Sequence, residues 1–299
     1  MKAEKFSNAL QNVDDRFIAR AARPQSADKT IRFPWKRWAA AAACLCLLGA
    51  SAFAARGFIL PAETKPIVQT APASDSPDGM RRFMNWNGMR YEFLENGAAY
   101  QIPAELLGDA EGTLTYDIAA DPEANAGKDL STTYALGGTV YELKEYDTQF
   151  RVAVEYDGGY CICQSVAFTD GTQLDPAAYF ALAGFPGNIQ SVSVFDHGGN
   201  SLLTQLPQEE TEQFVEMLTQ SVSAQLSDEQ YQQIGQAQRE GRSFRVTFDL
   251  ADGTSYGFYL IPSLNIAMFG DGRYTTPAEF SDAFGAFFDG LEQDVPPIY

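Results

Sequence analysis

The sequence predicts an α+β fold of antiparallel β-hairpins with a few packed helices, preceded by a single transmembrane helix. Three observations lead there: apolar residues alternate in short runs that end at Asn-Gly or Asp-Gly, later stretches carry apolar residues at helical spacing behind recognisable caps, and an 18-residue run near the N-terminus holds no charge. With 299 residues, 45% of them apolar and 13% aromatic, the chain has ample material for a packed core.

The elements follow in chain order. Residues 1–37 read as a basic cytoplasmic tail in which Phe6, Leu10, Val13 and Phe17 form one apolar stripe on a short amphipathic helix. Such a helix is marginal alone in water, so the stripe is expected to pack on something. Docking of a cytoplasmic partner through these four residues is one expectation, and a tail lying on the membrane surface is the other. Trp38–Ala55 supplies the uncharged run, about 27 Å long as a helix, and Gly57–Leu60 can extend it, so residues 38–60 are assigned to the transmembrane helix. Arg20, Arg23, Lys29, Arg32, Lys36 and Arg37 precede it, whereas only Arg56 and Lys65 follow closely. The positive-inside rule therefore places the N-terminus in the cytoplasm and the C-terminal part outside the cell membrane. Ala52-Phe53-Ala54 also fits a signal-peptidase site, but the long charged region before the apolar run favours a retained anchor.

Residues 61–79, rich in Pro, Ala, Ser and Thr, read as an extended stalk. Residues 80–299 form the extracytoplasmic α+β domain, with a hint of two lobes at 80–186 and 187–299. Strand-like runs cover 89–93 before Asn96-Gly97, 140–143, and 150–156 before Asp157-Gly158. Ile189–Phe195 alternates as a strand, and a helix is expected over about 208–226, where Phe214, Met217, Leu218 and Val222 share a face. Ser227 with Gln230 makes a capping box for a further helix that reaches Glu240 and stops at Gly241. A second hairpin, 244–250 and 256–260 around Asp252-Gly253, echoes the first: both open Phe-Arg-Val and turn at Asp-Gly. The last helix is expected to have Thr276 as its N-cap, Pro277 at its first position and a face of Phe280, Phe284, Phe287, Phe288 and Leu291.

Charge and motifs narrow the function. Residues 1–56 carry 10 Lys+Arg against 4 Asp+Glu, and the remainder carries 11 against 35. A strongly acidic outer part repels phosphate backbones, so nucleic acid is excluded as its partner. The pairs Cys44/Cys46 and Cys161/Cys163 lack metal spacing and read as apolar fillers, and the single histidine, His197, speaks against a multi-histidine metal site. No cofactor is expected. Gly253-Thr-Ser255-Tyr-Gly257 matches a nucleophile elbow and His197-Gly198-Gly199 an oxyanion loop. The histidine, however, precedes the serine, and the residues after Ser255 continue as strand where an elbow needs a helix. Asp170-Gly-Thr172 and Asp252-Gly-Thr254 read as turns, and the chain is read as non-enzymatic.

Residues 1–60 run Val13-Asp-Asp, Phe17-Ile-Ala-Arg-Ala and Trp35-Lys-Arg-Trp-Ala into an Ala/Cys/Leu-rich helix. This arrangement resembles the anti-sigma-factor-like, single-pass membrane-anchored regulatory proteins of Firmicutes, and covers about a fifth of the chain. The resemblance implies a tail that binds a cytoplasmic transcription factor and an outer domain that senses the envelope. The tail lacks the His and C-x-x-C of the zinc type, so zinc is not implied. A surface-displayed binding or structural module is the alternative reading, and an extracytoplasmic hydrolase the outsider. The outer ligand is left open.

Overall fold

Asp157 (φ 51°) and Gly158 (φ 75°) both adopt left-handed backbone, as a two-residue type I′ hairpin turn requires, and they join two strands in the middle of a sheet. The structure, a computed structural model, describes residues 65–73 and 81–293. Phe6, Leu10, Val13, Phe17 and the segment Trp38–Ala55 lie outside the described residues. Among the described residues no helix is long and apolar enough to cross a membrane. The described part is mixed α+β, dominated by two sheets.

The first sheet holds β1 (Val68–Ala71), β2 (Phe83–Trp86), β3 (Met89–Phe93), β4 (Ala99–Gln101), β5 (Leu107–Thr113), β6 (Tyr116–Asp117), β7 (Ser131–Thr132), β8 (Thr139–Leu143), β9 (Arg151–Tyr156) and β10 (Gly159–Phe168). Its main order is β5-β8-β9-β10-β3-β2-β7-β6, antiparallel except at β6/β7. The ten-residue β10 is the spine: one edge pairs with β9, and the other pairs with β3 over Cys163–Phe168 and with β4 at Tyr160. β5 is an outer strand, irregular in register at two places, with Asp109 and Glu111 exposed.

The second sheet holds β11 (Ile189–Phe195), β12 (Leu202–Gln205), β13 (Val222–Ser223), β14 (Phe244–Leu250), β15 (Ser255–Ile261), β16 (Ile266–Met268) and β17 (Tyr274–Thr275), in the order β12-β11-β14-β15-β16-β17-β13. Among the described residues five α-helices accompany the sheets: α1 (Pro122–Asn125), α2 (Pro176–Leu182), α3 (Thr211–Thr219), α4 (Asp228–Arg239) and α5 (Ala278–Asp289). The apolar faces of the two sheets share one core, in which Phe150, Tyr179, Phe180, Phe185, Phe248 and Tyr256 meet ring to ring. Cys161 and Cys163 are buried without a disulfide, and burial pushes the Cys161 thiol up to about 11.

Four sequence expectations need correction. Asn96-Gly97 does not close a hairpin: Glu95 and Asn96 within the 3-10 turn Leu94–Asn96, and Gly97 at its end, all have positive φ, and β3 and β4 both lie against β10. The hairpin turn before β10's partner is instead Asn87 (φ 50°)-Gly88 (φ 75°), between β2 and β3. Part of the expected stalk belongs to the fold, because β1 pairs with β4 and Ile67 is buried. Helix α3 stops at Thr219, and Val222 is exposed on β13, where pairing with Thr275 of β17 overrides the helical spacing. Finally, Thr276 does not cap α5. The N-cap residue is Pro277, without a side-chain bond, and the Thr276 hydroxyl is turned toward Asn265. The apolar face itself is present, with Phe280, Phe284 and Phe288 buried and Phe287 and Leu291 half-buried.

The box at the start of α4 has both expected bonds: the Gln230 amide donates to Ser227 Oγ at 3.3 Å, and the Ser227 amide donates to Gln230 Oε1 at 2.9 Å. Ser227→Ala removes one of them and is expected to lower stability by about 1 kcal/mol, measured as a shift in the urea midpoint. An unchanged midpoint would mean that packing of Ile234 and Ala237 alone holds this helix.

Candidate ligand cleft

Arg151 opens β9 with its side chain fully buried, and a buried guanidinium must be answered by hydrogen bonds. Its Nη1 donates to Thr254 Oγ1 at 2.5 Å, and its Nη2 donates to Gln164 Oε1 at 2.5 Å and to the Ser255 carbonyl at 3.0 Å. The Asp252 carboxylate stands 3.9 Å from Nη1, too far for a direct hydrogen bond but close enough to balance the charge. Asp252 is held in turn by the Tyr146 hydroxyl at 2.7 Å and accepts from the Thr254 amide and hydroxyl at 2.8 and 2.6 Å. Arg151 and Gln164 come from strands of the first sheet and Tyr146 from the β8–β9 loop; Asp252 and Thr254 come from the β14–β15 turn of the second and Ser255 from the start of β15. The two sheets are thus joined by a polar lock as well as by the aromatic core. Burial raises the Tyr146 phenol well above its usual range, and the Glu145 carboxyl is raised by burial and then by the charge of Asp252.

Gln164 and Thr254 also line a cleft of about 810 Å³ between the sheets. One wall comprises Phe93 of β3, Glu95 and Asn96 of the 3-10 turn after it, Tyr100 of β4 and Gln69 of β1; the other comprises Arg245, Asp249, Ser255, Gly257 and Tyr259 of the second sheet. Burial, with Glu95 as the main charge, pushes the Tyr100 phenol up to about 12, so it is a neutral donor and acceptor here. Asp249 accepts from the hydroxyls of Ser191 at 2.5 Å and Ser193 at 2.9 Å, and Arg81 is ion-paired with Glu92 and Asp271. Aromatic faces beside a few converging polar groups are the usual make-up of a small-molecule site. A second hollow, of about 690 Å³, lies among Asp196, Glu240, Phe244, Phe288 and Glu292, where Arg242 is ion-paired with Glu240.

The motif residues do not assemble into a catalytic pair. Ser255 begins β15, whereas His197 stacks against Tyr259, four residues along that strand and roughly 13 Å away. His197 Nδ1 instead lies 3.0 Å from the hydroxyl of Ser243, which is fully buried, and burial holds the imidazole below its ordinary value. Asp252-Gly253-Thr254 is a turn as expected, but its part in the inter-sheet lock depends on Tyr146 and Arg151, about a hundred residues earlier in the chain. The available signal was the shared Phe-Arg-Val opening, which sets Arg151 and Arg245 beside buried apolar residues at the start of two strands. Among the described residues no cluster of His, Cys, Asp and Glu is suited to a metal ion. No known protein family, curated protein or solved structure matches the chain.

Proposed function

We propose that this protein is a single-pass, membrane-anchored sensor or regulator whose outer domain takes a ligand in the inter-sheet cleft and whose tail docks a cytoplasmic regulatory protein through Phe6, Leu10, Val13 and Phe17. The observation that carries this reading is the attachment of the chain that follows the apolar segment. The Ile67 amide donates to the Asp252 carbonyl at 2.7 Å, and its side chain is buried near Leu106, Leu143 and Tyr146. Gly253 packs so closely that a Cβ there would stand 2.9 Å from the Ile67 carbonyl oxygen. The strap leading toward the membrane therefore grips the same turn that holds Arg151 and borders the cleft. A ligand that shifts Thr254 or Ser255 moves the seat of Ile67, which is a short mechanical route from site to anchor.

The test uses the full-length chain with an N-terminal affinity tag, protease shaving of whole cells and gentle solubilisation. A shaved outer domain, and a transcription factor that co-purifies with the tag and is lost on Phe6→Asp with Phe17→Asp, is the expected result. Release of the mature domain into the medium would overturn the anchor, and a clean, partnerless pulldown would favour a displayed binding module.

A further inference from the structure

The guanidinium of Arg245 is a cation of the cleft with no carboxylate partner among the described residues. It is half-buried, and among the described residues no carboxylate or carbonyl accepts a hydrogen bond from it. Its position is nevertheless shaped. Gly257, in the middle of β15, lies beneath it, where an added Cβ would stand 3.3 Å from Nε and 3.4 Å from Nη2. Gly199, in left-handed backbone (φ 71°), closes the other side, where a Cβ would stand 2.8 Å from Cδ and 2.9 Å from Nη1. A glycine inside a strand weakens it, and its common justification is close approach of something to the sheet. Here that something is the flat arginine fork of the cleft-lining Arg245, packed against two residues without side chains.

The other charges of this wall are taken. Asp249 is bound by two serine hydroxyls, and Arg81 is matched by Glu92 and Asp271. Glu95, exposed on the facing wall, repels the anionic end of a ligand, so among the described lining residues Arg245 is the cation left to receive it. In a chain of net charge −18, an arginine left unpaired in a cleft is a specific attraction against a repelling background.

Building on the reading of the cleft as the sensing face, we infer that it binds a small ligand through an oxyanion group, a carboxylate or a phosphate, received by the guanidinium of Arg245 in its glycine seat. A planar guanidinium donates two parallel bonds to either group, and Ser255, Gln190 and Tyr259 along the same lining supply neutral polar contacts for the rest of the ligand.

The experiment is titration calorimetry of the full-length, detergent-purified chain with sodium acetate and, separately, sodium phosphate, at constant ionic strength. Saturable binding of one anion to one site is expected; which anion binds distinguishes carboxylate from phosphate. Arg245→Gln is expected to weaken it roughly tenfold or more, and the exposed Arg239→Gln to leave it unchanged. Gly257→Ala keeps the charge and fills the seat, so it should weaken binding in the same direction even if Arg245→Gln folds poorly. Absence of saturable binding by either anion, or undiminished binding in both cleft variants, would overturn the inference. The regulator reading is judged by the tag pulldown alone: a partner on the tail without anion binding removes only the ligand class, and anion binding without a partner removes only the regulator.

Discussion

Arg151→Ala is expected to destabilise the two-sheet domain by about 3–5 kcal/mol, the cost of leaving a buried carboxylate and its neighbours without their cation. Asp252 would keep the Tyr146 hydroxyl and the Thr254 groups, but Gln164 Oε1 and the Ser255 carbonyl would lose their donors in the interior. The aromatic neighbours add to the loss, because the guanidinium lies 5.0 Å from the Tyr146 ring centre and 5.2 Å from that of Phe150. Arg151→Met restores the volume without the charge and should remain destabilised, whereas combining it with Asp252→Asn should recover part of the deficit. Urea unfolding of the full-length chain, followed by near-ultraviolet circular dichroism, measures all three. A loss below about 1 kcal/mol for Arg151→Ala would show that water replaces the guanidinium and that the lock is dispensable.

Phe180→Ala is expected to cost about 3–5 kcal/mol by the other route, an apolar cavity. Phe180 stands on the short helix α2 between the sheets, fully buried, with ring centres of Tyr179, Phe185, Phe248, Tyr256 and Phe269 at 5.2 to 6.3 Å. Two of these partners, Phe248 and Tyr256, belong to the second sheet, so the void opens at the seam and neither sheet can collapse into it alone. Phe287→Ala, on the half-buried side of α5, provides the comparison and should cost about 1 kcal/mol. Equal losses at both positions would mean that the seam repacks and that the sheets are not held by their shared aromatic core.

The local elements were legible because local chemistry decides them. Asp157-Gly158 needs only two residues that tolerate positive φ, the α4 box needs only Ser227 and Gln230, and the phenylalanines of α5 announce their face by spacing. The misses are decided by distant partners. Val222 satisfies helical spacing, yet β17, some fifty residues later, draws it into a strand. Residues 67–71 have the composition of a linker, but β4 offers them an unpaired edge and the seam offers Ile67 a pocket. The site was least visible of all. Arg151 and Arg245 occur in the same Phe-Arg-Val context, and only the assembled sheets place one over Asp252 and the other over a bare glycine.

The irregular outer strand β5 bears on how copies of this protein behave side by side. A regular edge strand offers a row of free amides and carbonyls to any identical neighbour, and proteins confined at high local density meet such neighbours often. Two register breaks and the exposed carboxylates of Asp109 and Glu111 spoil that template, while the opposite end of the sheet finishes in the two-residue β6. Crowded copies would thus repel along this flank, which makes the domain resistant to the edge-to-edge stacking that begins aggregation.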